Sequence, residues 1–206
     1  MGIAERRERE REEVRRKILD AARELFATEG YERVTMRRIA DAIEYSPTAL
    51  YHHFEDKNAL VDALCEEDFG RLLGALLTRE LPSDPIEQIR QMGRAYAGFG
   101  LENPNHYRYM FMTPMEFKAS HDHELSQSGE RAFGLLRSAV ENAIAGGRFR
   151  RGDALTIAQV LWSGLHGVVA LLITYDPKQF PHGPAAPDLV DQVIDAGIRG
   201  FLATTH

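Results

Sequence analysis

Three short helix signals joined by tight turns, between residues 14 and 54, constrain the fold of this chain more than any other sequence feature. Gly30 separates the first from the second, because glycine tolerates the left-handed backbone common at helix C-termini. Helices this short gain most of their stability from tertiary burial, so the three must pack on one another. The first signal is an apolar stripe at spacings of three and four, which places its members on one helix face: Val14, Ile18, Ala22, Leu25 and Phe26.

The second and third signals each begin with a side-chain cap. Thr35 is a favourable N-cap for a helix over residues 36–43, and Ser46 followed by Pro47 starts a third helix over residues 47–54. Only Glu44 and Tyr45 lie between the second helix and the Ser46 cap of the third, which leaves room for a tight turn and nothing longer. A three-helix unit with such a turn is the helix-turn-helix pattern.

After residue 56 every strong signal is helical, and no alternating pattern typical of a strand competes. Caps followed by proline mark two of the helix starts, at Asp84-Pro85 and Asn103-Pro104. We therefore predict an all-α chain of about nine helices, with an N-terminal helix-turn-helix domain over residues 1–56 and a C-terminal helical domain over residues 57–206. The predicted helices of the second domain cover residues 57–81, 85–101, 104–112, 124–145, 154–174 and 188–202.

A specific residue pattern runs through the helix-turn-helix. It comprises Ile39-Ala40, Ser46, the run Leu50-Tyr51-His52-His53-Phe54 and Lys57, preceded by Ala22, Leu25-Phe26 and Gly30-Tyr31. Over about residues 17–64 this pattern closely resembles the DNA-binding segment of the tetracycline-repressor (TetR) family. The turn departs from it at Glu44, where many relatives have glycine; a left-handed glutamate there costs about 1 kcal/mol.

The polar residues of the second and third helices are the candidates for DNA contact. Leu50 and Phe54 share the apolar face of the third helix, which leaves the other side chains for solvent or for a groove of the duplex. Thr48 can hydrogen-bond either base type, and Pro47 and Ala49 can contact a thymine methyl. The alternative is that these side chains form a solvated polar face. For His53, a DNA contact and a solvated position are equally open. The resemblance also implies phosphate contacts, and the complete predicted set is Thr35, Arg37, Arg38, Ser46, Pro47, Thr48, Ala49, Tyr51, His52 and Lys57.

The chain starts with a segment dense in arginine and glutamate. Residues 5–17 hold seven basic and five acidic side chains, whereas the whole chain has a net charge of −6. Such a run is typically a solvated helix extension or a disordered arm. A basic arm that touches DNA phosphates is the alternative.

A palindromic duplex requires a two-fold homodimer, and the last two helices carry the features of an interface. Small residues in helix 154–174 permit close approach of a second helix, and the final helix has an apolar stripe. The resemblance implies the same arrangement, and ordinary packing within one chain is the alternative. The predicted interface residues are Ser163, Gly167, Ala170, Val190, Val193, Ile194, Gly197, Ile198 and Phe201.

Aromatic and methionine residues in the middle of the chain suggest a chamber for a small, largely apolar effector. Methionine adapts its shape, and tyrosine and tryptophan add hydrogen bonds to an apolar wall. A dry core explains any single member equally well. Trp162 with His166-Gly167 resembles a signature of one subgroup of TetR C-terminal domains. The predicted lining residues are Tyr96, Phe99, Tyr107, Met110, Phe111, Met115, Phe133, Leu136, Trp162 and His166.

Other classes of protein fit the sequence less well. The uncharged stretch of 22 residues from Ala154 to Tyr175 is long enough to span a membrane, but several polar residues interrupt it. The run from His121 to Glu124 lacks a second cluster to complete a metal shell, and the single cysteine, Cys65, has no neighbouring histidine to activate it.

We therefore expect a cytoplasmic protein with no metal, no cofactor and no enzymatic activity. The predicted function is that of a dimeric repressor which a small molecule releases from double-stranded DNA. A ligand-independent repressor or activator is the main alternative, and an α-helical enzyme acting on an apolar substrate is a distant one.

Overall fold

Nine α-helices and one π-helical turn make up the regular structure in the computed structural model, which describes residues 2–77, 82–112, 126–175 and 185–203. Within these ranges the only extended pairing is an isolated antiparallel bridge between Phe149 and Leu202. The prediction of an all-α fold is confirmed. The helices are α1 Ile3–Glu29, α2 Met36–Ala42, α3 Pro47–Tyr51, α4 Lys57–Leu77, α5 Pro85–Glu102, α6 Pro104–Tyr107, α7 Gln127–Ala145, α8 Ala154–Thr174 and α9 Ala186–Arg199, with the π-helical turn Arg108–Met112 after α6.

The chain divides into two compact units. Unit 1 comprises Met1–Asp68 and Asn105–Ser126, and unit 2 comprises Phe69–Pro104 and Gln127–His206. The division falls within α4, and α6 after its first residue belongs with the N-terminal helices. The domains predicted from chain order alone, residues 1–56 and 57–206, stay a prediction.

Unit 1 is organised around the apolar face of α1. Ile18 and Ala22 of that face are completely buried, as are Ile39 of α2 and Leu50 of α3. Fully burying an aliphatic side chain of this size contributes about 1.5–3 kcal/mol, which is what stabilises helices too short to form alone. Gly30 ends α1 as predicted, with φ of 83° and its N–H donated to the carbonyl of Phe26.

Both predicted N-caps of the helix-turn-helix are present. The Thr35 hydroxyl accepts a hydrogen bond from the Arg38 N–H at 3.1 Å, and the Ser46 hydroxyl accepts one from the Ala49 N–H at 3.3 Å. Glu44 in the turn has φ of 60°, the only positive value of a non-glycine residue in the described ranges. The turn thus has a left-handed backbone at Glu44, which glycine adopts without the steric cost of a β-carbon.

Several helix ends differ from the sequence expectations. The third helix ends at Tyr51 rather than Phe54, because the N–H groups of His53 and Phe54 both donate to the carbonyl of Leu50 and the chain turns. The α7 helix begins at Gln127 rather than Glu124, with Ser126 outside it. Residues 108–112, expected to continue α6 as an α-helix, form the π-helical turn instead.

Unit 2 packs α5, α7, α8 and α9 around one core. The backbone of α5 approaches α9 so closely that a side-chain β-carbon at Gly93 would lie 2.9 Å from the Ile194 Cδ1 atom. Ion pairs of Arg90 with Asp195, at 2.8 Å, and of Arg94 with Asp191, at 2.7 Å, join the same two helices at the surface. The predicted bounds of α8, 154–174, are confirmed.

By length and composition, α8 is the one helix in the described ranges that qualifies as a candidate membrane span. One side of it contributes Ile157, Leu165 and Val169 to the core of unit 2. Its open side carries the polar residues Thr156 and Ser163, which suit a contact with protein better than one with lipid.

The conformation of Glu44 leads to a stability prediction. Glu44→Gly should raise the free energy of unfolding by up to about 1 kcal/mol, since glycine adopts a left-handed φ without the steric cost of a β-carbon. For a chain of this length that corresponds to a rise of about 2–4 °C in the thermal midpoint. Glu44→Ala is the matched control, because alanine loses the side chain but keeps the strain. A midpoint for Glu44→Gly at or below that of Glu44→Ala would contradict the prediction.

Candidate nucleic-acid interface

The third helix presents a polar face outward and an apolar face inward, as its spacing predicted. Leu50 is 0% exposed and Phe54 is buried beside it, whereas Tyr51 is 53% exposed. Thr48 and His52 are also exposed, and Pro47 and Ala49 are half-buried at the start of the helix. The hydroxyl of Ser46, exposed as well, caps the helix as an acceptor and keeps its own hydrogen available for donation.

The second helix adds two arginines with different surroundings. Both Arg37 and Arg38 are exposed, as is the capping residue Thr35. Arg38 donates to the Glu29 Oε1 atom from its Nη2 atom at 2.7 Å, whereas Arg37 has no ion-pair partner in the part of the chain that the structure describes. A surface pair of this kind contributes at most about 1 kcal/mol, so a phosphate can displace Glu29 from Arg38.

Lys57 has an internal role that the sequence did not reveal. Its Nζ atom donates to the Tyr31 carbonyl at 2.6 Å and lies 3.6 Å from the centroid of the Tyr31 ring. Desolvation by this half-buried position lowers the pKa of the Lys57 ammonium, against the opposing charge of Glu32. The side chain therefore fixes the loop after α1 to the start of α4, and its predicted phosphate contact stays a prediction.

A buried charged network lies behind the interface, and it too was missed from the sequence. Asp68 of α4 is 0% exposed; it accepts from the Arg23 Nη2 atom at 3.0 Å and lies 2.8 Å from the His106 Nδ1 atom. Arg23 of α1 also pairs with Asp20 and Glu67. Removing one partner of such a buried pair leaves a charge uncompensated and costs about 3–5 kcal/mol. The network holds α1, α4 and α6 together within unit 1.

Part of the predicted effector chamber forms a hydrogen-bonded cluster in unit 2. The Trp162 Nε1–H donates to the Tyr96 hydroxyl at 3.2 Å, and that hydroxyl lies 3.4 Å from the Nδ1 atom of His166. Since an indole N–H only donates, the tyrosine oxygen accepts from it and directs its own hydrogen to His166, which fits a neutral imidazole. Burial lowers the pKa of His166, in agreement. The Phe133 ring lies edge-on to Trp162 at 6.4 Å.

The other predicted chamber residues divide between the units. Phe99 is buried and Leu136 half-buried in unit 2. Tyr107, Met110 and Phe111 belong to unit 1, where the rings of Tyr107 and Phe111 lie 4.9 Å apart. Met115 lies outside the described residues. The chamber as a whole therefore stays a prediction, and the cluster around Trp162 is the part whose members the structure brings into contact.

The predicted dimer residues also separate into two groups. Val190, Ile194 and Ile198 are buried in the core of their own chain, as the alternative of intrachain packing predicts, and their interface role stays a prediction. Val193 lies near Gly164, Gly197 near Leu161 and Phe201 near Phe149, likewise within one chain. By contrast, Ser163 is exposed and Gly167 and Ala170 are half-buried on α8.

The open side of α8 carries two further apolar side chains. Val160 and Leu171 are each 51% exposed, and they lie on the same helix face as Ser163 and Gly167. We use the name α8 open face for these four residues. Sequence spacing alone did not separate this face from the buried one, because α8 is apolar on nearly all sides.

No cluster of three metal-ligating side chains occurs in the ranges that the structure describes. The candidate ligands His121, Asp122, His123 and Glu124 lie outside those ranges. The single cysteine, Cys65, is buried.

The surroundings of His166 lead to a pH prediction. A histidine whose pKa is lower in the folded than in the unfolded chain stabilises the fold above its unfolded pKa, near 6.5, and loses that contribution as the pH falls. Urea unfolding of the wild type at pH 7.5 and 5.5 should therefore show lower stability at pH 5.5, and His166→Gln should reduce the difference. His52→Gln serves as the control with an exposed histidine. An unchanged difference in His166→Gln would contradict the prediction.

Comparison with known proteins assigns the family. The model described as "Bacterial regulatory proteins, tetR family" matches residues 18–64, and the model "Tetracyclin repressor-like, C-terminal domain" matches residues 89–197, about half of the chain. The second match includes Trp162 and His166-Gly167, but it does not test the finer subgroup.

Relatives and solved structures agree with this assignment. The HTH-type transcriptional repressor Rv1474c of Mycobacterium tuberculosis is 50% identical over 66 residues, 32% of this chain and 35% of that protein. AcnR of Corynebacterium glutamicum, also an HTH-type transcriptional repressor, is 38% identical over 96 residues, 47% of this chain and 45% of its own length. The matches thus span less than half of these curated relatives.

Two solved structures resemble this chain over nearly its whole length. A Rhodococcus sp. RHA1 protein of unknown function superposes with a TM-score of 0.74 at 26% identity, over 91% of this chain and 95% of that one. For the TetR family transcriptional regulator PfmR of Thermus thermophilus the TM-score is 0.67 at 23% identity, over 92% and 99%. One family model matches the helix-turn-helix, and the C-terminal model alone matches about half of the chain. The chain therefore belongs to the TetR family of bacterial regulatory proteins.

Proposed function

We propose that this protein is a transcriptional repressor that binds double-stranded DNA as a homodimer and leaves it when a small, largely apolar molecule binds. The observation that carries the proposal is the outward polar face of α3, which a buried Leu50 holds in place. The relatives named as HTH-type transcriptional repressors match over this same segment. The protein acts by binding in the cytoplasm and not by turnover.

In the proposed complex α3 enters the major groove. Thr48, exposed near the start of the helix, reads a base edge, and the half-buried Pro47 and Ala49 contact a thymine methyl. Tyr51 and His52 face the phosphate backbone. Arg37 contributes a further phosphate contact, since no acidic side chain in the described ranges pairs with it.

Two copies would associate through the α8 open face. Val160 and Leu171, each about half-exposed on the side of α8 that faces away from the core, leave an apolar area in contact with water. Ser163 and Gly167 between them are small enough for a second helix to approach closely. A two-fold pair of α3 helices then matches a palindromic duplex.

The effector would bind beside the cluster of Tyr96, Trp162 and His166 in unit 2. The α4 helix supplies residues to both compact units, so a ligand that favours a different position of α4 changes the spacing of the two α3 helices. Such a ligand must bind the two states with different affinity. A coupling of about 1–3 kcal/mol corresponds to a change of about 5–150-fold in DNA affinity.

Base readout by Thr48 is tested with duplexes selected from a random library by the wild-type protein. Thr48→Ala should reduce the preference at one base position per half-site by about 1–3 kcal/mol, because the hydroxyl is the only polar group lost. Competition binding with all four bases at each position provides the measurement. Thr28→Ala is the control, an exposed threonine of α1 whose hydroxyl donates to the Glu24 carbonyl. A uniform loss across all positions would contradict base readout.

The dimer interface is tested by placing a charge on the α8 open face. Val160→Asp should shift the protein from dimer to monomer in analytical ultracentrifugation, because a buried carboxylate without a partner is strongly unfavourable. Leu155→Asp is the control: this leucine is 43% exposed on the same helix but lies on another side. If both variants remain dimeric, the proposed interface is wrong.

A further inference from the structure

On the side of α1 that is buried further along the chain, the N-terminal turns carry three arginines, which we call the arginine stripe. Arg7, Arg11 and Arg15 are spaced by four residues and lie on the side of the helix that carries Val14 and Ile18. Several other arginines have carboxylate partners, but in the part of the chain that the structure describes these three have none. Their spacing makes them mutually repulsive, by about 0.2–0.5 kcal/mol per pair.

The inner end of this stripe meets the residues that follow α3. The Arg15 guanidinium lies over the Phe54 ring, 5.3 Å from its centroid. His53, next to Phe54, is half-buried as a residue, but its Nδ1 atom is itself buried and has no hydrogen-bond partner in the ranges that the structure describes. The stripe thus places its cations beside an imidazole that the protein itself does not engage through that atom.

The charges around His53 are almost all positive. Burial lowers its pKa first, and the charges of Arg11, Arg15 and His52 lower it further, while Glu12 alone acts in the opposite direction. This local excess of positive charge stands out in a chain whose net charge is −6. It is the electrostatic arrangement that an anion would stabilise.

The position of the stripe favours the DNA backbone as that anion. His53 directly follows Tyr51 and His52, which face phosphates in the proposed complex. The rise of an α-helix gives about 12 Å from Arg15 to Arg7, and one DNA strand carries a phosphate about every 3.4 Å along its axis. The stripe is therefore long enough to follow several consecutive phosphates.

We propose that Arg11, Arg15 and His53 form a second phosphate-binding surface, which holds the DNA backbone flanking the base pairs read by α3 and takes up a proton at His53 when the duplex binds. This inference rests on the proposed function, because it places the surface at the edge of the same DNA complex. The phosphate offsets the repulsion from the two arginines, so the imidazolium becomes more stable in the complex than in the free protein.

The sign of the proton linkage follows from this difference. The complex binds more protons than the free protein between the lowered pKa of His53 in the free protein and its higher pKa in the complex, so DNA affinity increases as the pH falls through that range. Well above it His53 is neutral in both states and contributes no pH dependence. His52, the other imidazole nearby, is exposed and stays in place in every variant that tests His53.

The arginines are tested by the salt dependence of binding. Arg11→Gln and Arg15→Gln should each lower the slope of log K against log salt by about 0.9, equally for selected and unrelated duplexes. Arg6→Gln is the matched control, because Arg6 lies on another side of α1 and pairs with Glu10 at 2.8 Å. Arg15→Lys keeps the charge but loses the planar group over Phe54, so it should retain the slope. Thermal unfolding of each variant establishes that it is folded.

The histidine is tested by the pH dependence of the same binding. Wild-type affinity should be higher at pH 6 than at pH 8, and His53→Gln should reduce that ratio. The second surface is wrong if wild-type binding is normal and the salt slopes of Arg11→Gln and Arg15→Gln equal that of Arg6→Gln. An undiminished pH ratio in His53→Gln would overturn the role of His53. If the wild type selects no duplex at all, the proposed function itself fails.

Discussion

The arrangement of the N-terminal unit depends on the burial of Leu50. A helix of five residues has no stability of its own, because nucleation costs more than so few hydrogen bonds return. Leu50 is completely enclosed by the core of unit 1, and the Ser46 cap and Pro47 fix the direction in which the chain enters. The outward position of Tyr51 and His52 is a consequence, since adjacent residues cannot share the buried side.

Residues that carry charge in this unit also hold the fold together. Lys57 binds a backbone carbonyl and an aromatic ring, and Asp68 accepts from groups on two other helices. A charge that already has internal partners is held in one position before any ligand arrives. Pre-positioned groups lose less conformational entropy on binding than mobile ones. The fixed frame behind α3 therefore suits the proposed recognition of a duplex by a small number of side chains.

The sequence predicted the local structure well wherever a single residue decides it. Caps such as Thr35 and Ser46 and the stop at Gly30 act within one turn, so their effect can be read without knowledge of the fold. The uncapped end of α3 and the start of α7 were misplaced, since packing rather than local signals decides them. The pairing of Arg23 with Asp68 was out of reach for the same reason: 45 residues separate the two, and only the tertiary structure brings them together.

The apolar helices show the limit of periodicity most clearly. In α9 the stripe of Val190, Ile194 and Ile198 was a sound indication of a buried face, but periodicity does not say which surface covers it. The covering surface belongs to the same chain, through α5 and α8. The surface proposed to contact a second copy is therefore the one where apolar side chains remain half-exposed, at Val160 and Leu171. The interface proposed on the exposed side of α8 would account for the hydrophobic residues around nearly its whole circumference.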